Sequence, residues 1–287
     1  FEILQMNDKP NFFVSHCDIP YKVTDYTLDS YVRQMRRRVL EPLAEKYGVD
    51  TSDAAIRKAV AEHNEVCAII SEIGEMRKAD NPVITGYEFH VLNLVSFTCP
   101  KQLILPYLRE TLEELKTRKP DAKPAFRARV AIVGSEIDDP NLTKLIESCG
   151  ALVVSDRYCF GSTPGREIIH LRDDEDALPQ ICLHIMEHSE CARYISDEKV
   201  QQRRDTADRL ARAFHADGII YEQMKYCDYW GFERALVSHI MHEEYNWPVL
   251  SIDRLYNNGN SGQLRTRVQA FVESLEIKKL HKNGGAN

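Results

Sequence analysis

The sequence contains no closely spaced cysteine pair. Its eight cysteines lie at positions 17, 67, 99, 149, 159, 182, 191 and 227, without any CxxC zinc or ferredoxin spacing. This distribution favours reduced thiols in a cytoplasmic protein over a disulfide framework. Any metal site has to be assembled from segments that are distant in the sequence.

Signals for nucleotide binding and for membranes are also missing. No Walker loop or GxGxxG motif follows a predicted strand, so the chain itself is not expected to hydrolyse ATP or bind NAD. The apolar runs are too short to span a bilayer, and the start lacks the basic n-region and cleavage site that would predict a signal peptide. A net charge of -7 gives no electrostatic reason to bind nucleic acid or an anionic membrane. We therefore expect a cytoplasmic protein that binds neither.

The first part of the chain predicts helices. From Thr27 to Arg118 apolar residues recur at three- and four-residue steps, and Thr85 with Glu88 forms a capping box. The strand-like run Asn11–Ser15 comes earlier, with no partner strand nearby and no initiator methionine before it. We therefore expect residues 1–126 to combine this helical region with the remnant of an incomplete N-terminal domain.

From residue 127 onward, predicted strands alternate with predicted helices. The four apolar runs that predict strands are Arg129–Val133, Ala151–Val154, Gly218–Tyr221 and Pro248–Ile252. A helix follows each of them. This alternation predicts an α/β fold, in which residues 127–287 form a Rossmann-like domain around a parallel four-stranded sheet.

Polar or reactive residues follow each predicted strand. Ser135, Cys159, Cys227 and Arg254 come after the first, second, third and fourth strand. Because the carboxyl ends of parallel strands share one edge, we expect several of these side chains to line one cleft. Cys227 has two interpretations, a functional thiolate or a small buried apolar residue. For Cys159 the structural interpretation is favoured.

The last predicted helix opens with Ser261 and Gly262. Free amide groups at a helix N-terminus can hold an anion such as a phosphate, although simple capping by Ser261 is the favoured explanation. Together with Ser135 and Arg254, these two residues are our predicted substrate contacts. The group Cys182, His184, His188 and Cys191 has no complete metal-ligand pattern, so its histidines are interpreted as structural.

Several segments resemble one protein family. They are Asp156–Ser162 (DRYCFGS), Met224–Gly231 (MKYCDYWG), Pro248–Asp253 (PVLSID) and Gly262–Phe271 (GQLRTRVQAF). They resemble the carboxyl-terminal half of the 2-hydroxyacyl-CoA dehydratase and benzoyl-CoA reductase family. The helical region after Cys17–Lys22 is similar to the family's middle section, so the resemblance covers nearly the whole chain.

The resemblance implies a cofactor and a partner. Family members pair two homologous subunits with Rossmann-like domains, each holding a 4Fe-4S cluster on cysteine thiolates. Cys227 matches the family's C-terminal cluster ligand, and Cys159 is a weaker candidate. Tyr226, Tyr229 and Trp230 would surround the cluster. The family's other ligands lie in an upstream portion that this sequence lacks.

The resemblance also implies a reaction. A separate ATP-hydrolysing iron-sulfur activator passes one electron to the cluster, and a CoA thioester is reduced to a ketyl radical that expels its 2-hydroxyl group. We therefore expect a lyase subunit that converts (R)-2-hydroxyacyl-CoA to enoyl-CoA. The alternatives are an oxidoreductase subunit of the benzoyl-CoA reductase type and a non-catalytic scaffold subunit of such a complex.

Overall fold

The computed structural model describes residues 13–121, 125–162, 167–256 and 261–284. In chain order the elements are α1 (Asp25–Gln34), a π-helical turn (Met35–Leu40), α2 (Glu41–Tyr47), α3 (Asp53–Glu75), a 3₁₀ turn (Met76–Lys78), α4 (Gly86–Thr98), α5 (Lys101–Thr117), β1 (Ala128–Gly134), α6 (Asn141–Ser148), β2 (Ala151–Arg157), α7 (Ala177–His188), α8 (Asp197–Ala213), β3 (Gly218–Met224), α9 (Asp228–Glu243), β4 (Val249–Arg254) and α10 (Ser261–Gly284).

The chain forms two compact units. The first comprises Phe1–Asn64 and Ile168–Ser189, and the second comprises Glu65–Glu167 and Glu190–Asn287. The first unit is helical in its described part, and Tyr31 of α1 packs there with Leu178, Cys182 and Met186 of α7. The predicted domain boundary near residue 127 stays a prediction.

The second unit is built around a four-stranded sheet. Its order is β2-β1-β3-β4, and every neighbouring pair is parallel. The predicted α/β fold with a parallel four-stranded sheet is therefore confirmed. All four strands run beyond their predicted ends, to Gly134, Arg157, Met224 and Arg254.

Alternate residues of β1 pack on opposite faces of the sheet. Val130 and Ile132 join a core that includes residues of α6 and α10, whereas Ala131 and Val133 join a core with residues of α8 and α9. This period of two is the side-chain alternation of a strand. Because both faces of β1 are covered by helices, its sequence is a nearly continuous apolar run.

The helical region predicted between Thr27 and Arg118 is confirmed. The part of this helical region that lies in the second unit has a hydrophobic core of its own, formed by the second half of α3 with α4 and α5. The predicted capping box is present, since the Thr85 hydroxyl accepts from the Glu88 amide and the Glu88 carboxylate accepts from the Thr85 amide. α4 therefore begins at Gly86, where the sequence predicts its start.

Two local predictions differ from the structure. Residues 13–15 of the expected strand Asn11–Ser15 have no regular secondary structure, and residues 11 and 12 lie outside the described ranges. The sequence predicts that the helix after the third strand begins near Phe232, but it begins four residues earlier, at Asp228, and so follows Cys227 directly. None of the helices in the described part of the chain combines the length and hydrophobicity that a bilayer-spanning segment requires.

Candidate functional site

The strand order creates a reversal point at the carboxyl edge of the sheet. β1 and β3 are neighbours, but the next strand along the chain lies on the far side of each, β2 beside β1 and β4 beside β3. In open parallel sheets, ligands bind outside the carboxyl ends of the strands at such a point. Ser135 follows β1 here, and the loop Lys225–Cys227 follows β3. We take this edge as the candidate site.

Cys227 is the N-cap residue of α9. Its amide donates to the Met224 carbonyl at 3.1 Å, and its own carbonyl accepts from the Gly231 amide at 2.9 Å. The side chain is half-buried. Burial raises the pKa of the Cys227 thiol, while a hydrogen bond from the Trp230 backbone opposes this rise. The Cys227 sulfur therefore lies close to the free amide groups in the first turn of α9 and beside the last residues of β3.

The three aromatic residues beside Cys227 have different environments. Tyr226 is 89% exposed and has a φ of 75°, a left-handed conformation that is uncommon for a residue with a side chain. Tyr229 is partly exposed, and Trp230 is only 2% exposed. The guanidinium of Arg157 lies 5.3 Å from the centre of the Trp230 ring. Trp230 therefore lies on the buried side of the loop, and the Tyr226 side chain lies on its solvent-exposed side.

Two further thiols lie near Cys227. Burial raises the pKa of the Cys159 thiol to about 12, and negative charge on Cys191 and Cys227 adds to this rise. Charge on Cys191 likewise contributes to the raised pKa of the Cys227 thiol. Cys159, Cys191 and Cys227 are therefore electrostatically coupled. Sequence reasoning grouped Cys191 with Cys182, His184 and His188 and did not link it to Cys227, because Cys191 follows no strand.

Buried arginines hold the segment that carries Cys191. Arg157 Nε donates to the Glu190 carboxylate at 2.5 Å, and Arg157 also donates to the Glu190 carbonyl. The Thr206 hydroxyl donates to the other Glu190 oxygen at 3.1 Å, and Arg203 donates to the Cys191 carbonyl at 3.4 Å. These contacts fix the backbone carbonyls of both Glu190 and Cys191.

Ser135 and Arg254, two predicted substrate contacts, both contact Glu222, the first through a hydrogen bond and the second through an ion pair. The Ser135 hydroxyl donates to Glu222 Oε2 at 2.9 Å and accepts from the Met224 amide at 2.5 Å. Arg254 Nε lies 2.7 Å from Glu222 Oε1, and Arg254 Nη2 donates to the Glu136 carbonyl at 2.6 Å. These side chains therefore join the ends of β1, β3 and β4. Their role as substrate contacts stays a prediction.

Glu222 is a buried acid with a shifted titration. Its side chain is 0% exposed. Burial raises the pKa of Glu222 to about 7, against the opposing effects of Arg254 and Ser135. Sequence reasoning missed this residue, since a glutamate two positions before the end of a strand reads as part of an exposed loop.

The start of α10 is open. A Cβ atom added to Gly262 would meet no other atom within 4 Å. The side chain of Ser261 and residues 257–260 lie outside what the structure describes. Anion binding by Ser261 and Gly262 therefore stays a prediction.

The thiols do not form a complete metal site within the described part of the chain. Among residues 13–121, 125–162, 167–256 and 261–284, no three histidine, cysteine, aspartate or glutamate side chains are arranged to hold a metal ion. Cysteine thiolates are the usual ligands of iron-sulfur clusters, so the donor chemistry at Cys227 suits such a cluster. The described residues do not, however, supply a complete ligand set.

The histidine and cysteine group on α7 is a separate feature. The rings of His184 and His188 stack with their centres 4.4 Å apart, and burial raises the pKa of the Cys182 thiol to about 12. These three residues belong to the first unit, whereas Cys191 belongs to the second. The structural interpretation of the histidines stays a prediction.

Comparison with known proteins identifies the family. Residues 1–275 match the family model described as "2-hydroxyglutaryl-CoA dehydratase, D-component". The chain belongs to this family. The resemblance found in the segments around Cys159 and Cys227 is thereby confirmed, and the chain is a dehydratase-type subunit at the level of its family.

Two curated relatives agree with this assignment. One, from Escherichia coli (strain K12), is named as a dehydratase subunit, YjiM, and is 23% identical over 268 residues, covering 90% of this chain and 67% of the relative. The other is the (R)-phenyllactyl-CoA dehydratase beta subunit of Clostridium sporogenes, which is 22% identical over 245 residues. That match covers 85% of this chain and 63% of the relative, so the chain corresponds to about two thirds of each relative's length.

Proposed function

We propose that this chain is the iron-sulfur subunit of a radical dehydratase that converts (R)-2-hydroxyacyl-CoA to enoyl-CoA. The observation that carries the proposal is the position of Cys227, at the reversal point of the sheet and electrostatically coupled to Cys159 and Cys191. Membership of a dehydratase family supports the reaction class. A relative named for an (R)-phenyllactyl-CoA dehydratase supports a CoA thioester as substrate.

Cys227 would supply one ligand to a 4Fe-4S cluster, and the other ligands would come from a further part of the protein. When bound, the cluster supplies the low-potential electron that reduces the thioester. Trp230 would keep water from the inner side of the site, because it is buried against Arg157. The exposed Tyr226 and Tyr229 would face substrate or partner.

The remaining residues would position this edge and bind the substrate. Ser135 and Arg254 would hold the carboxyl ends of the strands through Glu222, and any substrate contact would use their outer atoms. The amides near Ser261 and Gly262 would bind a phosphate of CoA. We propose a homologous second subunit and a separate ATP-hydrolysing iron-sulfur activator as partners.

Substitution of Cys227 by serine tests the proposal. The complete protein, purified without oxygen, should lose most of its iron and sulfide in Cys227→Ser, because an alcohol replaces a thiolate ligand. Cys99→Ser is the matched control, since Cys99 is also half-buried in the second unit but lies at the end of α4. Iron and sulfide analysis with EPR spectra measures the difference, and equal iron content in both variants would remove Cys227 from the ligand set.

The substrate is tested in the assembled complex. With activator, ATP and a 2-hydroxyacyl-CoA, the wild-type complex should release enoyl-CoA, and Cys227→Ser should not. Mass spectrometry of the thioesters follows the loss of water directly. Turnover by the Cys227→Ser complex at the wild-type rate would contradict the proposal.

A scaffold role is the second candidate. It is favoured by one observation, that no three metal-ligating side chains within the described ranges are arranged around a common ion position. A scaffold subunit would contain no iron even in the complete wild-type protein. Its Cys227→Ser variant would also leave turnover by the complex unchanged.

A further inference from the structure

A cavity lies in the second unit beside the edge strand β2. Its volume is about 180 Å³, and its walls come from α3, α4, β2 and α8 together with Arg77 of the 3₁₀ turn. None of the lining residues is among the predicted site residues. The proposed dehydratase function therefore assigns no role to this cavity.

Arg77 forms a rigid, buried part of the cavity wall. Its side chain is 1% exposed, and its Nη2 donates to Asp156 Oδ1 at 2.9 Å. The guanidinium carbon lies 3.7 Å from the centre of the Phe89 ring. Arg129 donates to the Arg77 carbonyl at 2.8 Å, which also fixes the backbone. The orientation of the guanidinium is thus set before any ligand arrives.

Two polar atoms at this wall have unused hydrogen-bonding capacity. Within the described part of the chain, neither Nη1 of Arg77 nor Oγ of Ser155 has a hydrogen-bond partner, and both residues line the cavity. Ser155 is 2% exposed. Buried polar groups are nearly always paired, because an unpaired one loses its bonds to water without replacement. A ligand oxygen could accept from Arg77 and bond to the Ser155 hydroxyl.

The surrounding charges favour an uncharged ligand. Asp156 already balances the positive charge of Arg77, since the two side chains form a buried ion pair. At the rim, Glu75 and Glu167 accompany one arginine, Arg209. A carboxylate or phosphate would therefore enter a region without excess positive charge. A carbonyl or hydroxyl oxygen meets no such electrostatic cost.

The rest of the wall is apolar. Ile70, Phe89, Leu210 and Phe214 line the cavity, and aromatic rings pack well against a flat ligand. An apolar cavity of about 150 Å³ is large enough to hold benzene. From these features we propose that the cavity binds a small uncharged molecule with an apolar, ring-sized body and one carbonyl or hydroxyl oxygen. The oxygen contacts Arg77 and Ser155, and the body packs against Phe89 and Phe214.

Ligand-observed NMR titrations of the complete protein with three probes test this proposal. Benzamide carries the required oxygen, benzoate adds a negative charge, and benzene lacks the oxygen. Benzamide should bind with a millimolar or lower Kd, and more tightly than either of the other two. Ser155→Ala should weaken benzamide binding about threefold to tenfold, as expected for one lost hydrogen bond. Ser148→Ala, a change at an exposed serine on α6, should leave it unchanged.

A blocking variant shows whether binding occurs in this cavity. Ser71 lies on the exposed side of α3 and lines the cavity, so Ser71→Trp should fill the entrance without disturbing the core. It should abolish benzamide binding while leaving the unfolding midpoint near that of the wild type. Absence of benzamide binding to the wild type, equal binding to Ser71→Trp, or tighter binding of benzoate would each overturn the proposal. Iron content does not enter this test, so its outcome is separate from that of the dehydratase proposal.

Discussion

Glu222 makes the stability of the second unit depend on pH. Its pKa is raised from 4.5 to about 7, with burial as the main cause. Between these two values the folded protein keeps a proton that the unfolded chain has released. The resulting stabilisation is complete below the unfolded value and is lost as pH rises through about 7.

We predict that Glu222→Gln removes this pH dependence. Between about pH 5 and about pH 8, the free energy of unfolding of the wild type should fall by roughly 2–3 kcal/mol more than that of the variant. Urea unfolding followed by tryptophan fluorescence measures it, because both tryptophans, Trp230 and Trp247, belong to the second unit. Glu273→Gln, at an exposed position of α10, is the matched control and should behave like the wild type. Parallel pH profiles for wild type and Glu222→Gln would contradict the prediction.

The candidate site was only partly predictable from single residues. Cys227 stood out because it follows an apolar run in a polar and aromatic loop. Cys191 gave no such signal, since its position depends on Arg157 and Arg203, which are distant in the sequence and become its neighbours through folding. Glu222 could not be predicted as a site residue for a related reason, because its partners Ser135 and Arg254 follow or belong to other strands.

The strands illustrate a second limit of sequence reasoning. The apolar pattern predicts all four strands, but it places the charged and polar residues at their carboxyl ends in loops. The buried charges among them are paired with charges on other elements, as in the pair Arg77–Asp156 and the pair Glu222–Arg254. A local pattern cannot show pairing of this kind, since the partners lie on different elements. Residues 13–15 of the expected strand Asn11–Ser15 show the converse case, since no strand in the described part of the chain pairs with them.

The start of α4 depends on close packing against β2. A Cβ atom at Gly86 would lie 2.5 Å from the Val153 carbonyl oxygen, so the helix or the strand would have to move. We predict that Gly86→Ala lowers the free energy of unfolding of the second unit by about 1–3 kcal/mol. Urea unfolding followed by tryptophan fluorescence measures this loss.

The same substitution in another helix start provides the control. Gly262 lies in the first turn of α10, where an added Cβ would meet no atom within 4 Å. Gly262→Ala should leave stability unchanged or raise it by up to about 1 kcal/mol, because alanine favours helix over glycine. If both variants lost stability equally, the contact with Val153 would not be the cause.

The chain of 287 residues corresponds to about two thirds of the relatives it matches. Its described residues offer Cys227 and two coupled thiols but no complete ligand group. We therefore predict that the chain spanning residues 1–287, reconstituted alone with iron and sulfide, holds less than one 4Fe-4S cluster. Iron and sulfide assays with EPR spectroscopy test this. A full cluster per chain would show that these residues suffice and would point to Cys159 and Cys191 as further ligands.

The parallel sheet also has a consequence for how the chain folds. Its central pair joins Val130 of β1 to Gly218 of β3, which lie 88 positions apart (130 to 218). No hairpin can begin such a sheet, so a long loop must close before its central contacts form. Chains rich in such long-range pairings fold slowly and expose unpaired strand edges for longer. In the folded protein, β1 and β3 therefore form the centre of the candidate site. During synthesis, the same two strands are the segments that most need protection from aggregation.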